Sequence, residues 1–584
     1  MYAINKQDLY VSPHGDDAGP GTRESPFATL DRARLAAREL SGDVVVHLRA
    51  GTHTLTAPLA LTGEDGGRDG HRITYQAFNY GTPEQETAVV SGGREITGWR
   101  EEDGHLVADV GDLDTRQLYT GDPLRRAERA GIDALPGDAT RTVTGYVTDS
   151  AAPLAWRSPS DVEFVHRGVY PWTEARMGVA AVAPDGDGAA ITMAQPAFAR
   201  AIELYNFSWE EHVQAGPPLP TRIENDAAFL TEPGTFVLDR SRPGRHRLRY
   251  LPRPGEEPRV VAPVLETLVR VTGAHGVSFR GLVFADATWL RPSGPAGFLH
   301  YHGNGYYDGG PIEKVVIVEG QAWVTVPGRS ETIPACVVAE DAGDVVFEGC
   351  RFTRLGAAGL GLTGGSGLVV RGCDFDTLSA AAITVTGGSD VLVEDNLVER
   401  VGLDYSGSPG IALSGTDGCT VAGNHVREVP HCGIVAGPSR RTRILRNLVT
   451  GTMSVLADGG GVYLSGPQGS SHDDGAEIGG NVIKDTRTPY NFGLYTDYGA
   501  AWVTVEGNVV AGADNTAVLQ VSPPLDNVVY RGNFWDADPS GADAVPDGVT
   551  YEDNTTLAEG LDEATAHIQA RAGLRRGRGG SSVT

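Results

Sequence analysis

Two short segments stand out as candidates for acid–base chemistry: ADGGGVYLSG (457–466) and GLYTDYGA (493–500), each with one aspartate beside a short alternating run. Alternation sends Leu494 and Thr496 to one face of the second run and Tyr495 and Asp497 to the other. Asp458 stands in the turn that leads into the first run. If the runs are strands of neighbouring coils, the two carboxylates share one groove. Such a pair can split a glycosidic bond, one group protonated to assist the leaving oxygen and the other ionised as nucleophile or water activator. Proximity raises one of the two pKa values. The same residues also have plainer uses: Asp before Gly is an ordinary turn pair, and an outward Asp in an acidic protein is commonly just solvated.

Further candidates for substrate contact line the same edge. Tyr463 and Tyr495 occupy outward strand positions and could stack on sugar faces, and Tyr498 follows Asp497 directly. Asp404 and Tyr405 in GLDYSGSPG, and His431 in EVPHCG, precede strands further toward the N-terminus; each serves equally well as a turn residue. Trp289 ends FADATW, where it either floors a subsite or anchors the segment after it. His300, His302, Tyr306, Tyr307 and Asp308 would form a cleft wall or a lid without contact. SHDDGAE (471–477) offers oxygen ligands without the spacing of a calcium loop and reads as a solvated turn, so no metal or other cofactor is expected. The glycine-rich turns join strand to strand, with no helix N-terminus to cradle phosphate.

What must position these groups is a repeat. VVAEDAGDVVFEGC from Val337, LGLTGGSGLVVRGC from Leu360, ITVTGGSDVLVEDN from Ile383, IALSGTDGCTVAGN from Ile411 and IVAGPSRRTRILRN from Ile434 all place Cys or Asn thirteen residues after their first residue. Further units run to Asn481, Asn508 and Asn533, and an earlier one from Val269 ends on Leu282. A period of about 23 residues with short strands and no helix reads as a right-handed parallel β-helix, each coil about 4.8 Å from the next. Ile383, Val385, Val391 and Val393 then point inward and Thr384, Thr386 and Glu394 outward, with the asparagines stacked as an amide ladder. Cys350 and Cys373 hold two rungs of that ladder as thiols.

The predicted fold class is therefore all-β: a β-helix with an inserted β-sandwich-like module and a short capping helix at each end. Residues 1–97 hold the first cap, with Thr29 as N-cap and Leu30, Ala33, Ala37 and Leu40 on one face, and the first coils. Residues 98–262 form the inserted module, 263–556 the main solenoid with the groove, and 557–584 a covering helix and a disordered tail, RRGRGGSSVT.

Composition narrows the partners. With 48 basic against 75 acidic side chains the net charge is −27, which repels a phosphate backbone. No apolar stretch approaches the roughly 18 residues of a spanning helix. Neither nucleic acid nor membrane is expected, and the chain is read as a monomer acting on an oligo- or polysaccharide. The segment MYAINKQDLYVSPHGDD has no leader pattern, so a cytoplasmic location is expected unless a leader has been removed.

Several segments, DLYVSPHGDDAGPGTRESPFATLDRAR, VVSGGREITGW, TRQLYTGDPLRRAERAG, LRYLPRPGEEP, FRGLVFADATW and ADGGGVYLSG with GLYTD, resemble bacterial parallel β-helix glycoside hydrolases, nearest to glycoside hydrolase family 141. The resemblance spans nearly the whole chain and implies α-L-fucosidase or xylanase activity, with Asp458 and Asp497 matching the two catalytic aspartates. In that family the second motif often continues with another acidic residue, where this chain has Tyr498. Two other readings stay open. A polysaccharide lyase or uronate epimerase would use Arg440, Arg441, Arg443 and His431 to neutralise a uronate and remove a proton. A non-catalytic carbohydrate-binding β-helix would leave the aspartates without consequence.

Overall fold

The computed structural model describes residues 6–209, 212–256 and 259–575. The expected tail from Arg575 onward lies outside them, except for Arg575 itself. The chain divides into two units: Met1–Gly92, Thr267–Ala285 and Pro334–Thr584 form the first, and Gly93–Glu266 with Asp286–Ile333 the second.

The first unit is a right-handed parallel β-helix. Its core follows from the repeat: Leu59, Val269, Val337, Leu360, Ile383, Ile411, Ile434, Val462, Leu494 and Ala517 pair in register from coil to coil, every one of them buried. Each fully buried aliphatic side chain in such a row contributes about 1.5–3 kcal/mol. The pairing of Leu59 with Val269 matters most, because it restores the register across the long excursion between them.

The turns explain the motif that precedes each ladder residue. The residue before the ladder position has φ of 60° at Gly372, 57° at Asp395, 64° at Gly423, 52° at Arg446, 61° at Gly480 and 63° at Gly507. Glycine takes this left-handed bend without strain and Asp tolerates it. The buried amide that follows then bridges coils: Asn424 N–H and Nδ2 both donate to Asn447 Oδ1, at 2.9 and 3.0 Å, and Asn424 Oδ1 accepts from Asn396. The ladder runs one rung beyond the repeat read in sequence, since Asn533 donates to Asn554 Oδ1 at 2.9 Å. All five cysteines are free thiols.

The N-terminal helix, Leu30–Arg38, is capped by Thr29, whose hydroxyl accepts from the Arg32 N–H, and it buries Leu30, Ala33 and Ala37. The C-terminal helix is shorter than expected, Leu561–Gln569, and it sits on the flank of the stack. It packs with Leu448, Val482, Val509 and Phe534 of four successive coils, outward apolar residues that need cover. One side chain expected at the surface, Thr384, is buried, as are its row-mates Val338, Val435, Tyr463 and Tyr495.

The second unit joins the 98–262 module to the later excursion, a combination the sequence reading does not foresee. Its strands pair over long separations: Gly93–Glu95 with Val260–Pro263, and Glu174–Asp185 with Phe298–His300. It has two β-rich cores, one around Phe236, Leu248 and Tyr250 and one around Tyr146, Phe164 and Tyr205. The second core includes an unanticipated helix, Ala197–Leu204. Among its buried charges Arg116 pairs with Glu163 at 2.7 Å and Arg176 with Glu224 at 3.1 Å.

Candidate active site

The site is built at the step between two coils of the first unit. Asp458 occupies a left-handed turn position, φ 57°, and donates its backbone N–H to the Tyr490 carbonyl at 2.8 Å. Three glycines follow because the turn lies flat against its neighbours. A Cβ at Gly459 would stand 2.7 Å from Cys432 Sγ and 2.9 Å from His431 Nε2; one at Gly461 would stand 2.4 Å from Ile483 Cγ2.

Strand Gly460–Pro467 then runs parallel to the first part of Phe492–Glu506, with Tyr463 opposite Tyr495 and Ser465 opposite Asp497. Tyrosine reach across this register joins the two coils. Tyr463 Oη donates to Asp497 Oδ2 at 2.9 Å, and Tyr495 Oη donates to Asp458 Oδ1 at 3.4 Å. The two rings meet almost perpendicularly with centroids 5.2 Å apart, and Phe492 packs 4.0 Å from Tyr495. With Cys432, Val435, Met453 and Val518 they form an apolar bed beneath the carboxylates.

That bed sets the electrostatics. Burial, reinforced by the charge of Asp497 and opposed by the Tyr495 hydroxyl, pushes Asp458 up to about 7. Asp497 is also raised by burial, but the Tyr498 backbone N–H and the hydroxyls of Tyr463 and Tyr495 favour its charged form and oppose the rise. Among the described residues neither aspartate enters an ion pair. Both tyrosines are kept protonated by burial and by the nearby carboxylates, which makes them fixed donors. Asp458 therefore keeps its proton to near neutrality while the donors around Asp497 favour its ionised form, the division of labour that acid-assisted cleavage needs.

The remaining predicted residues fall into place differently. Tyr463 and Tyr495 point outward as expected but are only 5% and 6% exposed, so they act as donors under the site and offer no open face for stacking. His431 is buried and its Nε2 meets the Ala457 carbonyl at 3.2 Å, which supports the Asp458 turn. Asp404 is buried and accepts from Ser379 Oγ at 2.6 Å. Tyr405 has no exposed surface, which removes it as a substrate contact. Trp289 is buried in the second unit against Phe298 and Tyr306, so its indole is an anchor and not a subsite floor. His300 is likewise buried, while Asp308 pairs with Arg200 and Arg291. Tyr498 is 46% exposed beside Asp497. The arginines of the lyase reading are engaged elsewhere: Arg440 with Asp474 at 2.9 Å, Arg441 with Asp417 at 2.7 Å and Arg443 with Glu477 at 3.9 Å. In SHDDGAE, Asp474 accepts from the N–H groups of Ser470 and Ser471, as a turn residue does. Among the described residues no group of three or more His, Cys, Asp or Glu side chains is placed to hold a metal ion.

Sequence reading passed over Tyr490 and Phe492, which belong to the same aromatic strip. The adjacency of Tyr490 to the LYTD run was the available signal, and only the turn geometry gives it meaning.

Comparison with known proteins agrees on the architecture. The family described as Right handed beta helix region matches residues 330–471. A solved structure described as "Glycoside hydrolase" superposes with a TM-score of 0.75 at 22% identity, covering 97% of this chain and 99% of the other. "The complex structure of XylC with xylose" gives 0.50 at 13% identity, over 90% and 75% of the two chains. At these identities the likeness is one of fold. Among curated proteins, "Uncharacterized protein YwoF" of Bacillus subtilis (strain 168) is 39% identical over 84 residues, which take in 14% of this chain and 15% of that protein's length. Among the described residues no helix is long and apolar enough to cross a membrane.

Proposed function

We propose that the protein is a glycoside hydrolase in which Asp458 is the general acid and Asp497 the nucleophile or water-activating base. The observation that carries this reading is the pair itself: two carboxylates from adjacent coils, Asp458 accepting from the Tyr495 hydroxyl and Asp497 from the Tyr463 hydroxyl, both free of ion pairs among the described residues. Burial keeps the Asp458 proton available for the leaving oxygen, and hydroxyl donors hold Asp497 ionised against developing positive charge on the sugar. The resemblance to glycoside hydrolase family 141 points to α-L-fucosides or xylan-related chains as substrates, and the full-length likeness to a structure described as a glycoside hydrolase is in keeping with it. The engagement of Arg440, Arg441 and Arg443 with carboxylates weighs against a lyase.

A glycan panel tests the reading. Reducing-end release supports hydrolysis, an unsaturated product absorbing in the ultraviolet replaces it with a lyase, and retention without turnover replaces it with a binding protein. For a hydrolysed substrate, the anomeric configuration of the first product assigns Asp497: retention makes it the nucleophile, inversion the base.

A further inference from the structure

The loop before the second site strand carries an aromatic residue that is only partly packed. Tyr490 is 51% exposed, yet its backbone sits at φ 57°, a conformation bulky side chains rarely adopt. An exposed ring returns little burial energy for that strain, and glycine would hold the same backbone freely. Two aspartates fix it in place. The Tyr490 N–H donates to Asp514 Oδ2 of the next coil at 2.8 Å, and its carbonyl accepts the Asp458 N–H at 2.8 Å. Left-handed residues recur at the turns of the solenoid, Asp395 and Arg446 among them, so what sets Tyr490 apart is the exposed aromatic ring carried at such a turn beside Asp458.

The ring also has a direction. Tyr490 meets Phe492 edge-on at 6.1 Å, Phe492 meets Tyr495 at 4.0 Å, and Tyr495 meets Tyr463 at 5.2 Å. One aromatic strip thus runs from solvent to the hydroxyls that hold both carboxylates, and Tyr490 is its open end. Tyr498, also exposed, has a left-handed backbone too, φ 44°, and follows Asp497 directly. Each carboxylate is therefore bordered by an exposed tyrosine tied to it through the main chain.

We infer that Tyr490 is the sugar-stacking residue of the subsite beside Asp458, and that Asp514 is a positioning residue that holds it there from the next coil. A pyranose ring presents a face of C–H groups that packs on an aromatic ring, while its hydroxyls stay free to reach the phenol and the groove wall. The inference rests on the glycosidase reading, and its test separates the two.

Steady-state kinetics of the full chain on p-nitrophenyl α-L-fucoside and on xylotetraose read it directly. Tyr490→Gly, which removes the ring and relieves the backbone, should melt no lower than the parent yet raise KM about tenfold or more, with kcat changed less than about threefold. Tyr490→Phe keeps the ring and should keep KM. Asp514→Ala should raise KM in the same direction and add little to Tyr490→Gly, while Asp514→Asn, which retains an acceptor for the Tyr490 N–H, should behave like the parent. A parent that turns over either probe while Tyr490→Gly leaves KM unchanged overturns the inference and leaves the glycosidase reading standing. A parent inactive on both probes and on the wider glycan panel overturns that reading and the inference with it.

Discussion

Tyr463 reaches from one coil to the next and donates its hydroxyl to Asp497 Oδ2 at 2.9 Å, although its strand partner is Tyr495 and Asp497 lies two residues further along. The diagonal makes the hydroxyl a donor to the charged form of Asp497. Tyr463→Phe should raise the Asp497 pKa, so the acid limb of the kcat/KM profile moves to higher pH and kcat/KM falls about tenfold. An acid limb that stays in place would detach Asp497 from the reaction.

Asp458→Asn and Asp497→Asn should each cut turnover by about 10²–10⁴-fold, and the double variant should lose little more. The alkaline limb near pH 7 belongs to Asp458 and should vanish in Asp458→Asn. Stability should move the other way. Because the folded pKa of Asp458 is raised above the usual carboxylate value, the folded state binds a proton the unfolded chain has lost, and parent stability falls as pH rises from about 4 to about 7. Asp458→Asn removes that fall, so its melting temperature should exceed the parent's at pH 8 and match it more nearly at pH 4.

Exhaustive chelation should leave hydrolysis unchanged, since the two carboxylates and their tyrosine donors supply both proton transfer and charge stabilisation. Activity that vanishes and returns only with calcium would favour the lyase.

The ladder should be structural. Asn424→Leu leaves the Asn396 amide groups and the Val393 carbonyl without their partner and should cost about 1–3 kcal/mol. Ile411→Asp should be far worse, because it sets a carboxylate in the fully buried row between Ile383 and Ile434. Chemical denaturation measures both.

The third glycine of the turn gives a packing test. A methyl at Gly461 would lie 2.4 Å from Ile483 Cγ2 and 3.0 Å from the Gly493 carbonyl. Gly461→Ala should therefore destabilise by about 1–3 kcal/mol and displace Asp458, lowering kcat as well as the melting temperature. A variant with parental stability and activity would mean the turn has slack.

The solenoid was legible because its physics is local and repeated. Alternation names the inward row, and a thirteen-residue spacing to Cys or Asn sets the register from Val337 to Asn447. The same register brings the strands bearing Asp458 and Asp497 side by side. The second unit was not legible, because Gly93–Glu95 pairs with Val260–Pro263 across an interval no local pattern spans.

Sequence by itself determined the solenoid and the adjacency of the strands that carry the two aspartates, since both follow from a period that each coil imposes on the next. It could not assign the tyrosines. Alternation sends Tyr463 and Tyr495 outward, but whether an outward position is open or covered depends on residues from other loops, and here Met453, Phe492 and Val518 help to cover them. Only the tertiary structure decided which carboxylate holds a proton, because that balance between burial, a neighbouring charge and donated hydroxyl groups exists only once several coils have closed around Asp458.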